Sequence, residues 1–305
     1  MTGYVLRQVT QVLVVCLGIS FVTFMLLHLT ADPVVLMLPP ETPKEEVESF
    51  RKRMGFDQPV LTQYLRYLRG AVGGNFGTSF FFKQPAVSLV LERMPATLLL
   101  TAAGLGVAIV VALPLGMLAA VRRQTVVDNL ATLLAVSGQA MPIFWLGIML
   151  MIIFAVKLHL LPSSGYGSWK NLVLPSITLG AFLAPITMRL IRSEMLEVLA
   201  QEFVRTARAK GLAARVVLVK HALRNAAIPV LTVIGLQFGQ LLGGAVVTET
   251  VFAWPGVASL AVSSIKNADY PVVQAAVFLL AVLIVLVNLS VDLLIGVIDP
   301  RVRVT

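Results

Sequence analysis

The sequence predicts an all-α integral membrane protein with six transmembrane helices, and three observations carry that reading. Mean hydropathy is +0.90, with 58% hydrophobic and only 13% charged residues, about half the charge of a soluble globule. Several apolar runs reach about 20 residues, the length that crosses a hydrocarbon core of roughly 30 Å. The cations also gather in alternate loops, as expected of a chain whose orientation is set by its positive segments.

The predicted spans are 9–30, 97–121, 130–156, 172–192, 227–248 and 272–296. The first is too long for a signal-peptide core, and no small-residue cleavage site follows at 28–32, so it is expected to remain as an anchor. It carries the only cysteine, Cys16, which excludes an intrachain disulfide and reads as a small membrane-buried hydrophobe. The fourth span contains Pro175 and Pro185, each lacking a backbone donor; neighbouring helices repair such gaps within a bilayer.

Six crossings put both termini on one side. Arg7, Arg122, Arg123, the cations from Arg189 to Arg224, Arg301 and Arg303 give that side thirteen cations against five acids; the other carries eleven against nine. The positive-inside rule makes the first side cytoplasmic. The net charge of +9 is thereby an orientation signal, and no nucleic-acid partner is needed to explain it.

The external loop over 31–96 is the one extramembrane segment large enough to fold. Residues 39–55 place acids before cations and end at Gly55, an order that suits a short helix and its dipole. A second helix is read over 57–70, with Leu61, Tyr64, Leu65 and Leu68 on one face, followed by a Gly-rich turn over 70–80. This loop is either a folded cap on the membrane or a docking surface for a soluble partner. Tyr166 and Trp169 in the second external loop suit the bilayer interface. The third, 249–274, carries Trp254-Pro255-Gly256 and a moderately apolar helical piece.

The chain has no phosphate-binding loop, since none of its eight lysines precedes Ser or Thr, a pattern that such loops require. His28, His159 and His221 have no partner at helical spacing, so no metal site is suggested. Serines and carboxylates form no nucleophile motif. The chain is expected not to be an enzyme.

Ionisable groups inside spans are the default functional candidates. Asp292 is the one carboxylate inside a predicted span, either salt-bridged or relaying protons. Glu249 stands at the outer end of the fifth span, as a gate or pathway group or merely a helix-end residue. Gly235, Gly239 and Gly243 recur at four-residue spacing in that span, a stripe that lets another helix approach closely.

The cytoplasmic stretch QEFVRTARAKGLAARVVLVKHALRNAAIP (201–229) is the densest run of charge. Charges and amides at Glu194, Glu197, Gln201, Arg205 and Arg208 share one helical face, and Leu196, Leu199, Phe203 and Ala207 another. Gly211 ends that helix, and a return helix bearing Arg215, Lys220 and Arg224 leads back to the membrane. Two partners fit it, anionic lipid or a protein groove.

RTARAKG (205–211) followed by HALRNAAIP (221–229) resembles the cytoplasmic loop of inner-membrane permease subunits of binding-protein-dependent ABC importers. The likeness is narrowest to the dipeptide/oligopeptide/nickel permeases, and it runs along nearly the whole chain. GFDQPVLTQYLRYL (55–68), ERMPATLLL (92–100), LPLGMLAA (113–120), MPIFWLG (141–147), LPSITLG (174–180), GLQFGQLLGGAVVTETVFAWPG (235–256) and DYPVVQAA (269–276) all match it in order. The long first external loop is similar to that of the first permease of the usual pair. Two stretches depart from the pattern. Arg205, Thr206, Ala207 and Gly211 stand where the wider superfamily has Glu-Ala-Ala and, after three residues, Gly. Asn75 stands where this group has aspartate.

The resemblance implies a type I importer permease: a tail and first helix over 1–30, an external loop over 31–96, and a five-helix core over 97–305 with its coupling loop at about 193–226. It implies a bacterial inner-membrane location, a homologous second permease, two ATPase subunits that hold ATP and Mg, and an external solute-binding protein. Glu202, Arg205, Thr206, Ala207, Arg208, Lys210 and Gly211 are then the ATPase-coupling residues. The solute class is led by di- and oligopeptides, with glutathione, nickel chelates, opines and sugars behind. An ion-coupled secondary transporter would carry more buried ionisable groups, and a non-transporting assembly protein would share the loop without transport.

Overall fold

The computed structural model describes residues 2–30, 34, 38 and 41–298, with the side chains of 2–9, 11, 27, 30, 54, 136, 139, 228, 244, 292 and 294–298 outside the described set. The side chain of Asp292 and the terminal cations Arg301 and Arg303 therefore lie outside the described residues. The helices are α1 Thr2–Thr30, α2 Lys44–Met54, α3 Val60–Val72, α4 Ala86–Val121, α5 Val126–Ala140 and α6 Ile143–Leu150, which wide π-helical turns extend over Met151–Lys157. Next come α7 Trp169–Leu199 and α8 Glu202–Ala209. A short turn Ala214–Val216 and a second π-helical stretch Val217–Ala222 lead into α9 Leu223–Gly244, followed by α10 Val246–Val251, α11 Val257–Lys266 and α12 Tyr270–Ile298. Among the described residues there is no strand, only an isolated bridge between Thr78 and Pro85.

Three of these helices are long and apolar enough to cross a membrane, Ala86–Val121, Trp169–Leu199 and Tyr270–Val291. A fourth crossing forms if Ala214–Ala227 and Pro229–Gly243, bent by 54°, act as one span. Pro229 sits at that bend, where its ring and missing donor interrupt the ladder. The predicted third span, 130–156, is two helices here. Met141 and Pro142 between them are extended, with ψ of 132° at both; proline disfavours the helical region for the residue before it. The fourth span, by contrast, is one unbroken helix despite Pro175 and Pro185.

The backbone divides into two compact units, Met1–Thr97 with Pro255–Val285, and Leu98–Trp254 with Leu286–Thr305. In the first, α2 forms as its charge order predicts and is closed by Gly55 at φ +72°, a left-handed cap that glycine adopts without steric cost. Of the face read for α3, Tyr64 is buried and Leu68 half-buried, whereas the other two leucines turn outward. Leu61 and Leu65 are 65% and 56% exposed, while Gln63, Tyr64 and Ala71 are buried. Aromatic packing explains the rotation. Phe24 of α1 stacks near Tyr64 and Tyr67, with centroids 5.4 and 5.8 Å apart, and the Tyr64 and Ser20 hydroxyls hydrogen-bond at 3.0 Å.

The loop after α3 is fixed by buried Asp269, whose carboxylate accepts from the Ser79 hydroxyl and from the Phe80 and Phe81 N–H groups. Asn75, where the resemblance led to an aspartate being expected, accepts from Gly77 N–H at 2.9 Å through Oδ1. An amide oxygen thus does here what a carboxylate oxygen would do for the turn.

In the second unit α7 is the central helix, packed against α5, α6 and α9. Small residues line one side of the core (Ala112, Ala119, Ala131, Ala135), and Met188, Ile191, Met195 and Val198 of α7 fill the space. Glycine brings α4 and α7 together. A Cβ on Gly104 would lie 2.8 Å from the Leu179 Cβ, one on Gly180 2.6 Å from Val107 Cγ1, and one on Gly116 2.9 Å from the Ile191 Cβ. Backbones this close are what small residues allow between membrane helices.

Candidate functional site

The chain leaves α7 at Leu199 and turns at Gln201, whose extended backbone (φ −74°, ψ 152°) separates α7 from α8. The single helix read from Glu194 to Gly211 is therefore two, and the register shifts. Val204 and Ala207 become the buried pair of α8, packed with Val217 and Leu199, while Phe203 is 37% exposed. The spacing of Leu199, Phe203 and Ala207 suggested otherwise because it assumed an unbroken helix.

Local chemistry fixes the ends of α8. Glu202 lies in the first turn, favourable to the helix dipole, and accepts from Arg205 Nη1 at 2.8 Å. That pair is fully in water, so it stabilises little. Thr206 Oγ1 donates to the Glu202 carbonyl at 3.1 Å. At the other end Lys210 N–H donates to Thr206 and Gly211 N–H to Arg208. Gly211 adopts φ +76°, turning the chain back in a conformation that costs a residue with a Cβ about 1–2 kcal/mol.

Arg205, Thr206, Arg208, Lys210 and Gly211 are thus exposed on a short, internally braced helix and its cap, whereas Ala207 is buried beneath them. Arg215, Lys220 and Arg224 are exposed along the return segment, on the side opposite buried Val217, Ala222 and Ala226. The stretch therefore presents a cationic outer surface over an apolar underside.

The glycine stripe of α9 is not uniform. Gly235 faces Val291 of α12 so closely that a Cβ would overlap its side chain; Gly239 is buried; Gly243 is exposed and a Cβ there would meet nothing within 4 Å. The packing glycines missed in the sequence are Gly104 and Gly116 of α4 and Gly180 of α7; the available signal was the four-residue repeat Gly104, Ala108, Ala112 and Gly116. Glu249 in α10 is fully buried beside Thr248, and its carbonyl accepts from Trp254 N–H at 2.8 Å. Trp254 is itself buried and meets Tyr166 edge-on at 4.9 Å.

Sequence reasoning also missed a partly buried ion pair. Arg192 of α7 grips Asp128 in the turn preceding the predicted third span, with Nε 2.6 Å from Oδ1 and Nη2 2.8 Å from Oδ2. The Arg192 fork and a hydrogen bond from Gln124 N–H hold the Asp128 carboxyl down at about 2. Both residues entered the charge balance only as isolated counts. The available signal was an acid and an arginine near the same-side ends of neighbouring spans.

The family of inner membrane components of binding-protein-dependent transport systems matches residues 112–304, and the N-terminal region of such components matches 1–101. The chain belongs to this family. This permease is 40% identical over 304 residues to the glutathione transport system permease protein GsiC of Escherichia coli strain K12, covering 99% of both chains. To the protein of the same name from Salmonella paratyphi A it is 41% identical, again over 99% of each. Among solved structures, the MetNI methionine ABC transporter in an inward-facing conformation aligns with a TM-score of 0.60 at 18% identity, covering 69% of the permease and 96% of that chain. That likeness shows the fold, the type I importer permease.

Proposed function

We infer that the chain is one of two homologous membrane subunits of an ABC importer and that α8 couples it to ATPase subunits, which hold ATP and Mg. An external binding protein delivers the solute to a pathway between the two permeases. The family membership makes it an ABC permease; the partners, the coupling role and the orientation with both termini cytoplasmic are inferred.

The observation that carries the coupling role is α8 itself. Eight residues form a helix anchored by Val204 and Ala207, with Phe203, Arg205, Thr206 and Arg208 outward. ATP-driven closure must favour one of two packings of the membrane helices, so a contact that differs between them is required. A short braced helix transmits a push that an unstructured loop would absorb.

Relatives named for glutathione transport favour a short peptide-like solute, and the positive loop supports an inner-membrane orientation with α8 in the cytoplasm. The test is co-purification with ATPases followed by Gly211→Pro and Arg208→Glu. Both variants should keep ATP hydrolysis while losing uptake. Uptake that survives removal of 201–225 would sink the coupling role, and the ligand retained by the companion binding protein would identify the solute.

A further inference from the structure

Beside the C-terminal end of α8 the second unit holds a cavity of about 360 Å³ whose walls come from the end of α4, the end of α7, Arg208 of α8 and the return segment. Leu196, Leu199, Val217 and Leu218 supply apolar walls, and Arg123 and Arg208 supply two cations. No carboxylate lines it. Asp128, whose carboxylate Arg123 helps keep ionised, is already gripped by Arg192, and neither Arg123 nor Arg208 makes an ion pair among the described residues.

Two exposed guanidinium groups, neither held in an ion pair, beside an apolar floor match an anion carrying hydrocarbon. Planar guanidinium forks suit phosphate oxygens, and basic pockets between membrane helices on the cytoplasmic side take anionic headgroups. The volume is at the small end of ligand sites, enough for a phosphodiester with part of its glycerol. We propose that this cavity binds a phosphate group, supplied by an anionic phospholipid of the cytoplasmic leaflet. The source of the phosphate rests on the orientation proposed above. Because Arg208 belongs to α8, an occupied cavity stiffens the base of the coupling helix.

The experiment uses the assembled importer in nanodiscs of phosphatidylcholine with a minor fraction of phosphatidylglycerol in both leaflets, followed by mild detergent and native mass spectrometry. The wild type should retain phosphatidylglycerol over phosphatidylcholine. Arg123→Gln and Arg208→Gln should each lower retention about fivefold, the effect of about 1 kcal/mol per cation. Leu196→Trp, which fills the cavity without changing charge, should lower it as well, and Arg123→Lys should largely keep it. Arg122→Gln, an exposed neighbour that does not line the cavity, should leave it unchanged. Equal losses from Arg122→Gln and Arg123→Gln, or full retention in a monodisperse Leu196→Trp, would overturn the site. Arg123-dependent binding of inorganic phosphate in pure phosphatidylcholine discs would keep the phosphate site and replace lipid as its source. Retention requires neither transport nor a fixed orientation, so its failure is distinct from failure of the coupling role.

Discussion

Asp128 and Arg192 form a two-pronged ion pair, at 2.6 and 2.8 Å, that ties the start of α5 to the last turns of α7. The carboxylate side chain is 5% exposed and the guanidinium 29%. Removing one partner leaves the other charge poorly solvated, which costs about 3 kcal/mol in buried pairs. Asp128→Ala and Arg192→Ala should each lower thermal stability in detergent, and the double variant should lose less than the two singles added together. Arg192→Lys should not rescue, because an ammonium lacks the fork. The pH sign follows from the carboxyl held at about 2, below its usual value near 4. The pair's contribution is complete above about pH 4 and is lost as pH falls towards 2. The wild-type minus Asp128→Asn stability difference should therefore stay flat from pH 5 to 8.

The α4–α7 crossing gives a second expectation. A methyl group at Gly180 would lie 2.6 Å from Val107 and 2.9 Å from the Gly104 carbonyl oxygen, and the latter is backbone that cannot swing away. Gly180→Ala should cost about 1–3 kcal/mol through overpacking, read as a lower melting temperature in detergent. Gly243→Ala, facing open space, should be near neutral to the isolated subunit. A loss on assembly with a second permease would assign that end of the stripe to the interface between subunits.

How much of this was legible in the sequence depended on the kind of signal. Hydropathy and cation placement identified a helical membrane chain because burial in lipid demands long apolar runs. The return at Gly211 was legible because a left-handed turn needs glycine. What was not legible came from choices between equally apolar faces. Tyr64 stays buried as part of the face read for α3, but Leu61 and Leu65 turn outward because Phe24 of α1 draws Tyr67 in beside Tyr64, ring contacts that periodicity within α3 does not encode. Phe203 turned outward because Gln201 resets the register, and no glycine or proline marks that break. The Asp128–Arg192 pair joins residues far apart in sequence.

Asp269 gives a third expectation. It is fully buried and receives three donors from the Ser79–Phe81 segment, while Phe82 N–H donates to Ser79 Oγ at 2.8 Å. Asp269→Ala strands these donors, at about 1–3 kcal/mol for each buried group left unpaired. Amide exchange over 79–82 should accelerate strongly. Asp269→Asn keeps an acceptor oxygen and should show a smaller change. If exchange there is the same in Asp269→Ala as in wild type, the carboxylate does not hold the loop.

Phe203 and Gly211 separate the folding of α8 from its proposed contact with an ATPase. Phe203 is 37% exposed beside buried Val204, so Phe203→Ala should change subunit stability by no more than about 0.5 kcal/mol. An aromatic anchor seated in a partner's groove is worth about 2 kcal/mol or more, so the same variant should weaken ATPase association at least tenfold. Val204→Asp, placing a charge between α8 and Val217, should instead destabilise the subunit itself. Gly211→Ala meets no neighbouring atom, so its whole cost is the strain of φ +76°, about 1 kcal/mol. It should reduce uptake per ATP hydrolysed while leaving the amount of folded subunit nearly unchanged. Phe203→Ala with wild-type ATPase affinity would remove Phe203 from the interface, and Gly211→Ala with wild-type coupling would show that the turn tolerates relaxation.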